Sequence, residues 1–428
     1  MAGQETPHDV RLRRDPGPRP IMMTTDWIRK HRDDLIDFVM ELVATPSPNL
    51  PGDERAVAKA ITAHLRRLDM DGFEIAAKEP HRPNVIYRLA GRGDGPTLML
   101  CGHSDTKPVG DGEQWRSDPM KPVIRDGKMY GLGTTDMKGA VAAMIYAVAA
   151  LKQTDAPLHG DVLLVVNADE ERTMTCGSEF LATDYGIKAD VCLLGEPSGI
   201  DGPEFEFLHL LSRGLSCFTV RVLGTQMHSS LSDRMPSVNA SIVMGEVLHR
   251  LDRELKLTFE PHPLCASPTT NLGVRIEGGV GYGVYPGSAA FQSDIRTLPG
   301  MSRDQLERDL RSCLESISRD YPKARIDLTF EEPPLDWFAP SQVEADHPLV
   351  GALLDAAQQV LGRRPELSAF PGGTDAKNFQ VEAGIPTIPS FGPGWLPLAH
   401  GPNECVGVEA IVQAAQMYAI AAMSYLRA

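Results

Sequence analysis

The chain carries the run Thr97-Leu-Met-Leu-Cys-Gly-His103-Ser-Asp105, which is apolar until it ends in an imidazole and a carboxylate. An apolar run of this length is typical of a buried strand. Two later runs repeat the pattern, Val162-Leu-Leu-Val-Val-Asn-Ala-Asp-Glu170-Glu171 and Val191-Cys-Leu-Leu-Gly-Glu196. In open α/β sheets, ligands bind at the carboxyl ends of the strands. Three strands that end in acids or imidazole therefore predict a metal site at that edge.

The composition is that of a soluble globular chain with about two domains. Of its 428 residues, 42% are hydrophobic and 23% are charged. The net charge of −15 disfavours a nucleic-acid partner, which calls for a basic patch. No segment approaches the roughly 20 apolar residues of a membrane span. Seven cysteines without CxxC spacing indicate neither a disulfide framework nor a zinc ribbon. We predict a cytoplasmic protein with no membrane or nucleic-acid partner.

Residues 1–22 are rich in proline and arginine and lack the apolar segment of a secretory signal, so we predict a disordered extension there. A helix is expected over residues 26–43. Strands then alternate with helices, and the alternation resumes near the C-terminus with a helix at 375–383 and a strand at 387–391. This order favours an α/β sheet covered on both faces. We assign it to a catalytic domain made of residues 23–205 and 333–428.

Residues 206–332 show a different order of elements: strand, helix, strand, strand, helix, strand. The predicted strands and helices lie at 215–222, 238–255, 270–276, 289–295, 303–318 and 326–330. This order is that of a ferredoxin-like α+β unit. The sequence therefore predicts an inserted second domain.

Five side chains are the candidate metal ligands: His103, Asp136, Glu171, Glu196 and His400. Mixed imidazole and carboxylate ligation suits Zn²⁺, Co²⁺ or Mn²⁺, and the absence of thiolate argues against a structural zinc site. Two divalent ions are balanced in charge by the three carboxylates and one hydroxide. Burial of the whole cluster is therefore not prohibitive.

Two of the aspartates have alternative interpretations. Asp136 lies in a turn before an expected helix, where an aspartate commonly caps the helix N-terminus. As part of the ligand set, it is predicted to bridge two ions instead. Asp105 shares a strand face with His103, so its side chain is expected to orient the His103 ring. Its alternative role is to cap a loop.

Glu170 and Glu171 are adjacent, so their side chains should point in different directions. One can ligate a metal while the other acts as general base toward water. The alternative is a solvated acidic loop. His400 lies in the irregular segment Trp395-Leu-Pro-Leu-Ala-His400-Gly-Pro-Asn-Glu404, which does not suit a core histidine. A single histidine in a loop is most often simply exposed.

With these residues in view, the chain resembles the M20 family of metallopeptidases and amidohydrolases over about residues 25–428. The motifs that carry the resemblance are Gly102-His-Ser-Asp105, Trp115-Arg-Ser-Asp-Pro119, Tyr130-Gly-Leu-Gly133-Thr-Thr-Asp136-Met-Lys-Gly139, Asp169-Glu-Glu171 and Gly195-Glu196-Pro197.

The resemblance implies a site for two divalent ions, expected to be Zn²⁺, with Co²⁺ or Mn²⁺ as alternatives. It assigns one ion to His103 and Glu196, the other to Glu171 and His400, and the bridge to Asp136.

Glu170 would be the general base, and Asp105 the partner of His103. The implied fold is a zinc-peptidase-like catalytic domain with a mixed α/β sheet. The inserted ferredoxin-like domain would be a lid that usually makes a homodimer.

Four residues of the lid and of a late loop acquire roles from the resemblance. His228, in Gly224-Thr-Gln-Met-His228, would steady the oxyanion in a neighbouring subunit, although alone it would be a turn residue. Arg296, in Asp294-Ile-Arg296, would clamp a substrate carboxylate, or else form a structural ion pair. Gly373 and Thr374 would belong to a substrate-binding loop at a helix start, where free N–H groups accept anions.

One position departs from the family pattern. Many relatives carry asparagine three residues before the proline that is Pro286 here, whereas this chain has Gly283. Glycine offers no amide side chain to a substrate carboxylate. The neighbouring Tyr282 and Tyr285 suggest a bulkier or less polar substrate.

The expected activity is zinc-dependent hydrolysis of an amide bond next to a carboxylate. An N-acyl-amino-acid deacylase of the acetylornithine deacetylase or succinyl-diaminopimelate desuccinylase type is favoured. A metallo-carboxypeptidase or dipeptidase of the same family is the alternative. A catalytically silent protein that binds amino-acid-like ligands is the alternative from another class. A serine hydrolase is disfavoured because no Gly-x-Ser-x-Gly segment is present.

Overall fold

The computed structural model describes residues 18–427. Its contacts divide this part of the chain into two compact units. Unit 1 runs to Leu208 and also includes Val343–Leu367 and the chain from Asn378; unit 2 comprises His209–Gln342 and Ser368–Lys377. Unit 2 is thus longer than the predicted insertion 206–332, and it recruits a second segment that the sequence did not reveal.

Helices supply the outer layers of unit 1 and one face of unit 2. They are α1 (Pro18–Lys30), α2 (Arg32–Ala44), α3 (Arg55–Arg67), α4 (Gly139–Gln153), α5 (Ser178–Ala182), α6 (Ala240–Glu254), α7 (Arg303–Ser318), α8 (Pro348–Leu361) and α9 (Val408–Tyr425).

The strands form one large sheet in unit 1, one four-stranded sheet in unit 2 and several small ones. They are β1 (Glu74–Ala76), β2 (Asn84–Leu89), β3 (Leu98–His103), β4 (Val123–Arg125), β5 (Lys128–Tyr130), β6 (Val162–Asn167), β7 (Val191–Leu194), β8 (Pro197–Gly199), β9 (Phe207–Ser212), β10 (Gly214–Leu223), β11 (Met227–His228), β12 (Thr269–Gly278), β13 (Val284–Tyr285), β14 (Ser288–Thr297), β15 (Arg325–Phe330), β16 (Ser341–Gln342), β17 (Glu366–Phe370), β18 (Thr387–Ile388), β19 (Gly392–Trp395) and β20 (Cys405–Gly407).

The large sheet has the strand order β1-β2-β6-β3-β7-β18. The last four strands in that order are parallel to one another, whereas β2 pairs antiparallel with both β1 and β6. The sheet is therefore mixed, as predicted. Strands β3, β6 and β7 are buried along their whole length. That burial explains their continuous apolar runs, because a strand covered on both faces has no polar side.

The register of these strands brings the three acidic strand ends together. Leu98 lies opposite both Val162 and Val191, and His103 lies opposite Asn167. The carboxyl ends of β3, β6 and β7 therefore meet at one edge of the sheet. Behind them, α4 is buried from its first residue to Leu151, and it packs against α9. An alanine-rich helix suits this position because small side chains allow close packing.

Several local predictions need correction. The single helix expected over 26–43 is two helices, α1 and α2, with a break at His31. The predicted extension 1–22 lies mostly outside the described residues, but Pro18–Met22 are helical rather than disordered. Proline is well tolerated in a first helical turn, where its missing N–H would be unpaired anyway.

Near the C-terminus, two predicted elements are shorter than expected. The helix expected at 375–383 is reduced to the turn Asn378–Glu382. The strand expected at 387–391 ends at Ile388. Within residues 18–427, none of the helices is long and apolar enough to cross a membrane.

Unit 2 contains the predicted ferredoxin-like arrangement. Its sheet has the order β12-β14-β10-β15, and every pairing is antiparallel. Apolar residues of α6, α7 and one sheet face form its core, which includes Phe218, Phe291, Val247 and Leu310. Strand β12 lies at the edge of this sheet, and most of its residues are exposed. Small sheets made of β11 with β13 and of β16, β9 and β17 accompany it.

Candidate metal centre

His103 is the last residue of β3 and is completely buried. Its Nδ1 lies 3.0 Å from the main-chain oxygen of Asp105. Its Nε2 lies 3.0 Å from Oδ1 of Asp136 and 3.6 Å from Oε1 of Glu196. Because Glu196 follows β7 by two residues, the parallel register of β3 and β7 brings it level with His103. The Nε2 edge of the ring thus faces two carboxylates.

His400 reaches the same edge of the sheet from a loop. Its backbone has a positive φ of 62°, and its side chain is about half exposed. Its Nε2 lies 3.0 Å from Oδ2 of Asp136 and 3.1 Å from Oε2 of Glu171. The prediction that this loop histidine joins the ligand set therefore agrees with its position.

Asp136 stands between the two histidines and offers one oxygen to each. Oδ1 faces His103 and Oδ2 faces His400. The alternative role as helix N-cap is wrong, because α4 begins at Gly139 and Thr134–Lys138 has non-helical backbone at Asp136. The segment departs from helical geometry at the residue that carries the shared carboxylate.

The ligand atoms that these side chains offer are of the kinds that divalent ions prefer. Ligand atoms of His103, Asp136 and Glu171 lie within 4.8 Å of one another, and so do those of His103, Glu170 and Glu196. Imidazole nitrogen and carboxylate oxygen are the donors of catalytic zinc sites. Oε1 of Glu171 is buried and has no hydrogen-bond partner among residues 18–427. A buried carboxylate oxygen without a partner is costly unless a cation neutralises it.

The electrostatics of the cluster also reflect its crowded acids. Burial lowers the pKa of His103, but hydrogen bonds to Asp105 and Asp136 outweigh burial and raise that pKa well above its ordinary value. At His400, burial again lowers the pKa, but hydrogen bonds to Asp136 and Glu171 outweigh it and raise the pKa to about 10. Burial raises the pKa of Asp136, but hydrogen bonds from His103 and His400 outweigh burial and hold that pKa below its usual range. The cluster thus favours positive charge strongly.

Asp105 supports the two glutamates rather than only the His103 ring. Its Oδ1 accepts the N–H of Glu170 at 3.2 Å, and its Oδ2 accepts the N–H of Glu171 at 3.1 Å. Its nearest carboxylate oxygen is 3.5 Å from His103 Nδ1, farther than the main-chain oxygen. The predicted orienting role therefore passes mainly through the Asp105 main chain, and the side chain fixes the loop after β6.

A buried polar network behind this loop was missed by the sequence analysis. The amide of Asn49 donates to Asp105 at 2.7 Å and to Asp169 at 3.1 Å. Arg82 donates to Asp169 at 2.6 Å and lies 2.8 Å from Glu54. Asp169 has a positive φ of 62° and directly precedes the glutamate pair. No sequence signal marked Asn49, because it lies in an ordinary proline-rich loop.

Glu404 is a second residue that was missed. It is buried, and its Oε1 accepts the N–H groups of Thr135 and Asp136 at 2.8 and 3.0 Å. The pairing of Cys405 with Tyr130 between β20 and β5 brings it there. Burial and the charge of Asp136 raise the pKa of Glu404 to about 8. Its spacing of four residues from His400 was the available signal.

Glu170, the predicted general base, lies beside the His103 half of the cluster. Its Oε2 is 3.9 Å from His103 Nε2, and its side chain is largely buried. Glu171 points instead toward His400. The adjacent glutamates therefore diverge as expected, and the alternative of a solvated acidic loop is wrong.

The comparisons with known proteins agree with this geometry. Residues 99–424 match the family described as peptidase family M20/M25/M40. This chain belongs to the M20 peptidase family. An acetylornithine deacetylase of Vibrio parahaemolyticus is 32% identical over 347 residues, which are 79% of this chain and 83% of that protein.

Solved structures share the fold of this M20 chain. The M20 metallo-carboxypeptidase Sso-CP2 of Sulfolobus solfataricus superposes with a TM-score of 0.73 and 19% identity, covering 91% of this chain and 99% of that one. The YXEP protein of Bacillus subtilis is described as a dinuclear metal-binding peptidase. It superposes with a TM-score of 0.66 and 18% identity, covering 93% of this chain and 99% of that one. The predicted family and the predicted fold class are confirmed. The M20 chain is a metal-dependent hydrolase that acts on amide bonds.

The remaining predicted residues of the M20 chain lie in unit 2. His228 is exposed and ends β11, where it pairs with Val284 of β13. Its Nδ1 lies 2.8 Å from Oγ of Ser230 and accepts the N–H of that residue at 3.3 Å. By these contacts His228 is a turn residue.

Arg296 lies on β14, and its Nε is 3.2 Å from Oδ1 of Asp294 on the same strand. Asn271 donates to that oxygen at 2.9 Å. The ion pair runs along one strand rather than between strands. Among residues 18–427 the side-chain contact of Arg296 is made through Nε, so both interpretations of Arg296 remain compatible with its contacts.

Gly373 and Thr374 do not begin the helix that was predicted for them. Oγ1 of Thr374 accepts the N–H of Ala376 at 3.3 Å, and the Thr374 carbonyl accepts that of Lys377. Only a single turn follows, from Asn378. The argument from a helix N-terminus is therefore wrong, and the assignment of these two residues rests on the family resemblance.

Gly283 departs from the family pattern at a position with special backbone geometry. Its φ is +83°, in the left-handed region that glycine adopts without strain. Its carbonyl accepts the N–H of Ser229, which directly follows His228. The loop with Tyr282 and Tyr285 thus adjoins the His228 turn, and Tyr282 is fully exposed.

Proposed function

We propose that this chain is a two-metal N-acyl-amino-acid deacylase that cleaves an amide bond next to a carboxylate. The acetylornithine deacetylase from Vibrio parahaemolyticus supports this substrate class through its similarity along most of both chains. The ions are expected to be Zn²⁺, with Co²⁺ or Mn²⁺ as alternatives, since all three accept mixed imidazole and carboxylate ligands.

One observation carries the proposal: the two oxygens of Asp136 face two different histidines. Each histidine has a second carboxylate beside it, Glu196 near His103 and Glu171 near His400. A carboxylate shared between two such sets is the arrangement that a co-catalytic pair of ions requires. His103, Glu196 and Asp136 would hold one ion, and His400, Glu171 and Asp136 the other.

Ions held there would acidify a water molecule and polarise the carbonyl of the scissile amide. Glu170 then accepts a proton from the attacking water at its carboxylate and returns it to the leaving amine nitrogen. Asp105 keeps Glu170 and Glu171 in place by accepting both of their N–H groups. Glu404 fixes the backbone that carries Asp136.

Unit 2 supplies the proposed substrate contacts. Arg296 binds the carboxylate of the amino-acid part, for which a guanidinium fork is suited. His228 donates to the developing oxyanion of a neighbouring subunit. Gly373 and Thr374 contribute to the substrate-binding loop. The exposed Tyr282 and the partly buried Tyr285 favour an apolar or aromatic acyl amino acid over N-acetyl-ornithine.

A homodimer through the lid is part of the proposal. Strand β12 presents an unpaired edge of ten residues, and Ile276 on it is 55% exposed. Ile242 on α6 and Val280 in the loop after β12 are also exposed apolar residues. A long, apolar edge strand invites pairing with another strand. A second copy of this chain offers the same edge.

The expected location of the protein is the cytoplasm.

A metallo-carboxypeptidase or dipeptidase is the second candidate, and the fold shared with Sso-CP2 is the observation that favours it. A catalytically silent binding protein is disfavoured because it would not need a general base, and the side chain of Glu170 lies at the candidate centre. The three possibilities differ in their response to substrates and metals.

The test is a hydrolysis screen of N-acetyl, N-succinyl and aromatic N-acyl amino acids beside dipeptides, with Zn²⁺- or Co²⁺-loaded protein. A deacylase releases the free amino acid from N-acyl compounds much faster than it cleaves dipeptides. The opposite preference would favour the peptidase. Chelator-treated protein is the control, and unchanged activity after metal removal would contradict a metal-dependent mechanism.

A further inference from the structure

Lys138 is a completely buried lysine that follows Asp136 by two residues, and the sequence analysis gave it no role. Its Nζ donates to the main-chain oxygens of Leu42 and Thr45, at 2.9 Å each. These carbonyls belong to the last turn of α2 and to the residue that follows it. The last carbonyls of a helix have no partner within the helix, and a lysine is a suitable donor to them. The amine therefore joins the segment that carries Asp136 to the end of α2.

The backbone of Asp136 depends on contacts from outside the helix that follows it. It departs from helical geometry, so that α4 does not fix it. On one side, Glu404 accepts the N–H of Asp136 at 3.0 Å. On the other side, the main-chain N–H of Lys138 donates to the oxygen of Gly133 at 2.9 Å and closes the turn around Asp136. The side chain of Lys138 anchors this turn to α2.

The end of α2 leads directly into the loop that positions the glutamate pair. This loop comprises residues 45–49. The main-chain N–H of Asn49 donates to the oxygen of Thr106 at 2.7 Å, and the Asn49 amide donates to Asp105, which holds both glutamates by their N–H groups. Lys138 thus holds the first residue of the loop, and Asn49 is the last. One chain of hydrogen bonds and short backbone segments connects the turn of the shared aspartate with the strand end of the general base.

We propose that Lys138 is a positioning residue that sets the separation between the shared carboxylate of Asp136 and the general base Glu170. The inference rests on the two-ion site proposed above and adds a further residue to it. The amine is directed at main-chain oxygens, so Lys138 acts through the backbone. Both the ammonium group and the neutral amine have the two N–H groups that the two carbonyls need, so the role does not require one protonation state.

The test is calorimetric titration of chelator-stripped, full-length protein with Zn²⁺ alone. Lys138→Met keeps a long apolar side chain but removes the donors, so that the turn of Asp136 is no longer joined to α2. Its affinity for Zn²⁺ is expected to fall by about 10- to 100-fold, the usual effect of losing a group that supports a metal site. In Zn²⁺-loaded protein, kcat for the best substrate of the hydrolysis screen should fall by a similar factor. KM should change little, because the proposed substrate contacts belong to unit 2.

Two variants of α4 serve as controls. Lys152→Met removes a partly exposed lysine near the other end of this helix. Val148→Ala truncates a completely buried side chain and lowers stability without touching the turn of Asp136. Both should keep the wild-type affinity for Zn²⁺ and the wild-type kcat at a temperature where they are folded.

The outcomes separate the two proposals. Wild-type Zn²⁺ affinity and kcat in Lys138→Met overturn the positioning role and leave the two-ion site intact. A raised KM with an unchanged titration assigns Lys138 to substrate binding and overturns the inference, and so do equal losses in Val148→Ala. A wild type that binds no Zn²⁺ overturns the two-ion site, and the inference with it.

A second variant covers the case in which Lys138→Met does not fold. Lys138→Gln keeps an NH₂ group on a shorter side chain that cannot reach both carbonyls. It should still bind Zn²⁺ more weakly than the wild type, and equal affinity would overturn the inference.

Discussion

The side-chain amide of Asn49 donates a hydrogen bond to Oδ2 of Asp105 at 2.7 Å, across 56 positions of sequence. Asn49 follows α2, whereas Asp105 follows β3. The same amide donates to Asp169, which precedes the glutamate pair. One buried amide thus fastens two acids that define where Glu170 and Glu171 lie. The geometry of the candidate centre depends on a loop that carries no catalytic group.

Asn49→Ala is therefore expected to lower kcat by about 10- to 100-fold, the usual cost of losing a group that supports a metal site. Asp105 and Asp169 would lose a shared donor, and the two glutamates would become less ordered. Steady-state kinetics and Zn²⁺ titration measure the effect. A thermal midpoint close to that of the wild type controls for general unfolding. Unchanged kcat would show that Asp105 needs no help from Asn49.

Glu170→Gln should keep most of the bound metal and lose roughly 10²- to 10⁴-fold in kcat, the contribution typical of a positioned general base. Glutamine preserves the size of the side chain but cannot accept the proton. Metal analysis beside kinetics separates the two roles. A fully active variant would refute the base assignment, and a variant without metal would make Glu170 a ligand.

Asp136→Asn should weaken Zn²⁺ binding at both halves of the centre. The amide keeps the shape but removes the negative charge that faces both histidines. The loss should exceed the 10- to 100-fold effect that is typical of supporting groups. Calorimetric titration of stripped protein is the measurement. If one tight ion remains with wild-type affinity, Asp136 does not bridge.

His228→Ala is expected to lower kcat, and mixing it with the Glu170→Gln variant should restore part of the activity. Each hybrid dimer then contains one centre with an intact base and an intact partner histidine. Ile276→Arg on β12 should abolish both dimerisation and the restoration, whereas Val381→Arg, at an exposed position in unit 1, should not. Sedimentation gives the mass. A monomeric wild type would contradict the proposed dimer.

Stability should fall in mild acid because of His64. This buried side chain stacks on Phe38 and bonds to Tyr146 at 3.0 Å, while its Nδ1 lies 2.7 Å from Arg67. Burial, aided by Arg67, lowers the pKa of His64 to about 4. Between its ordinary value of 6.5 and about 4, only the unfolded chain takes up the proton.

The free energy of unfolding is therefore expected to decline as the pH drops through that window and to show no contribution from His64 above it. His64→Gln should flatten this decline in denaturant titrations. His249→Gln, at an exposed position of α6, is the matched control and should leave it unchanged. An equally steep decline in His64→Gln would assign the acid sensitivity to other groups.

The strand core and the cluster of candidate ligands could be predicted from local sequence. Continuous apolar runs such as 162–166 need burial on both faces, and parallel strands deliver their carboxyl ends to one edge. The residue types at those ends then indicated metal-dependent chemistry. Helix boundaries near His31 and residue 375 were less predictable, because packing and loop contacts override helical periodicity.

The sequence by itself thus determined which strands form, which side chains end them and which ions those side chains suit, because each of these follows from side-chain polarity at neighbouring positions. Only the tertiary structure decided that Asp136 divides its two oxygens between His103 and His400, and that Asn49 and Glu404 hold the supporting backbone. These relationships join residues far apart in the chain. Strand register and loop closure set their distances, and no local pattern encodes them.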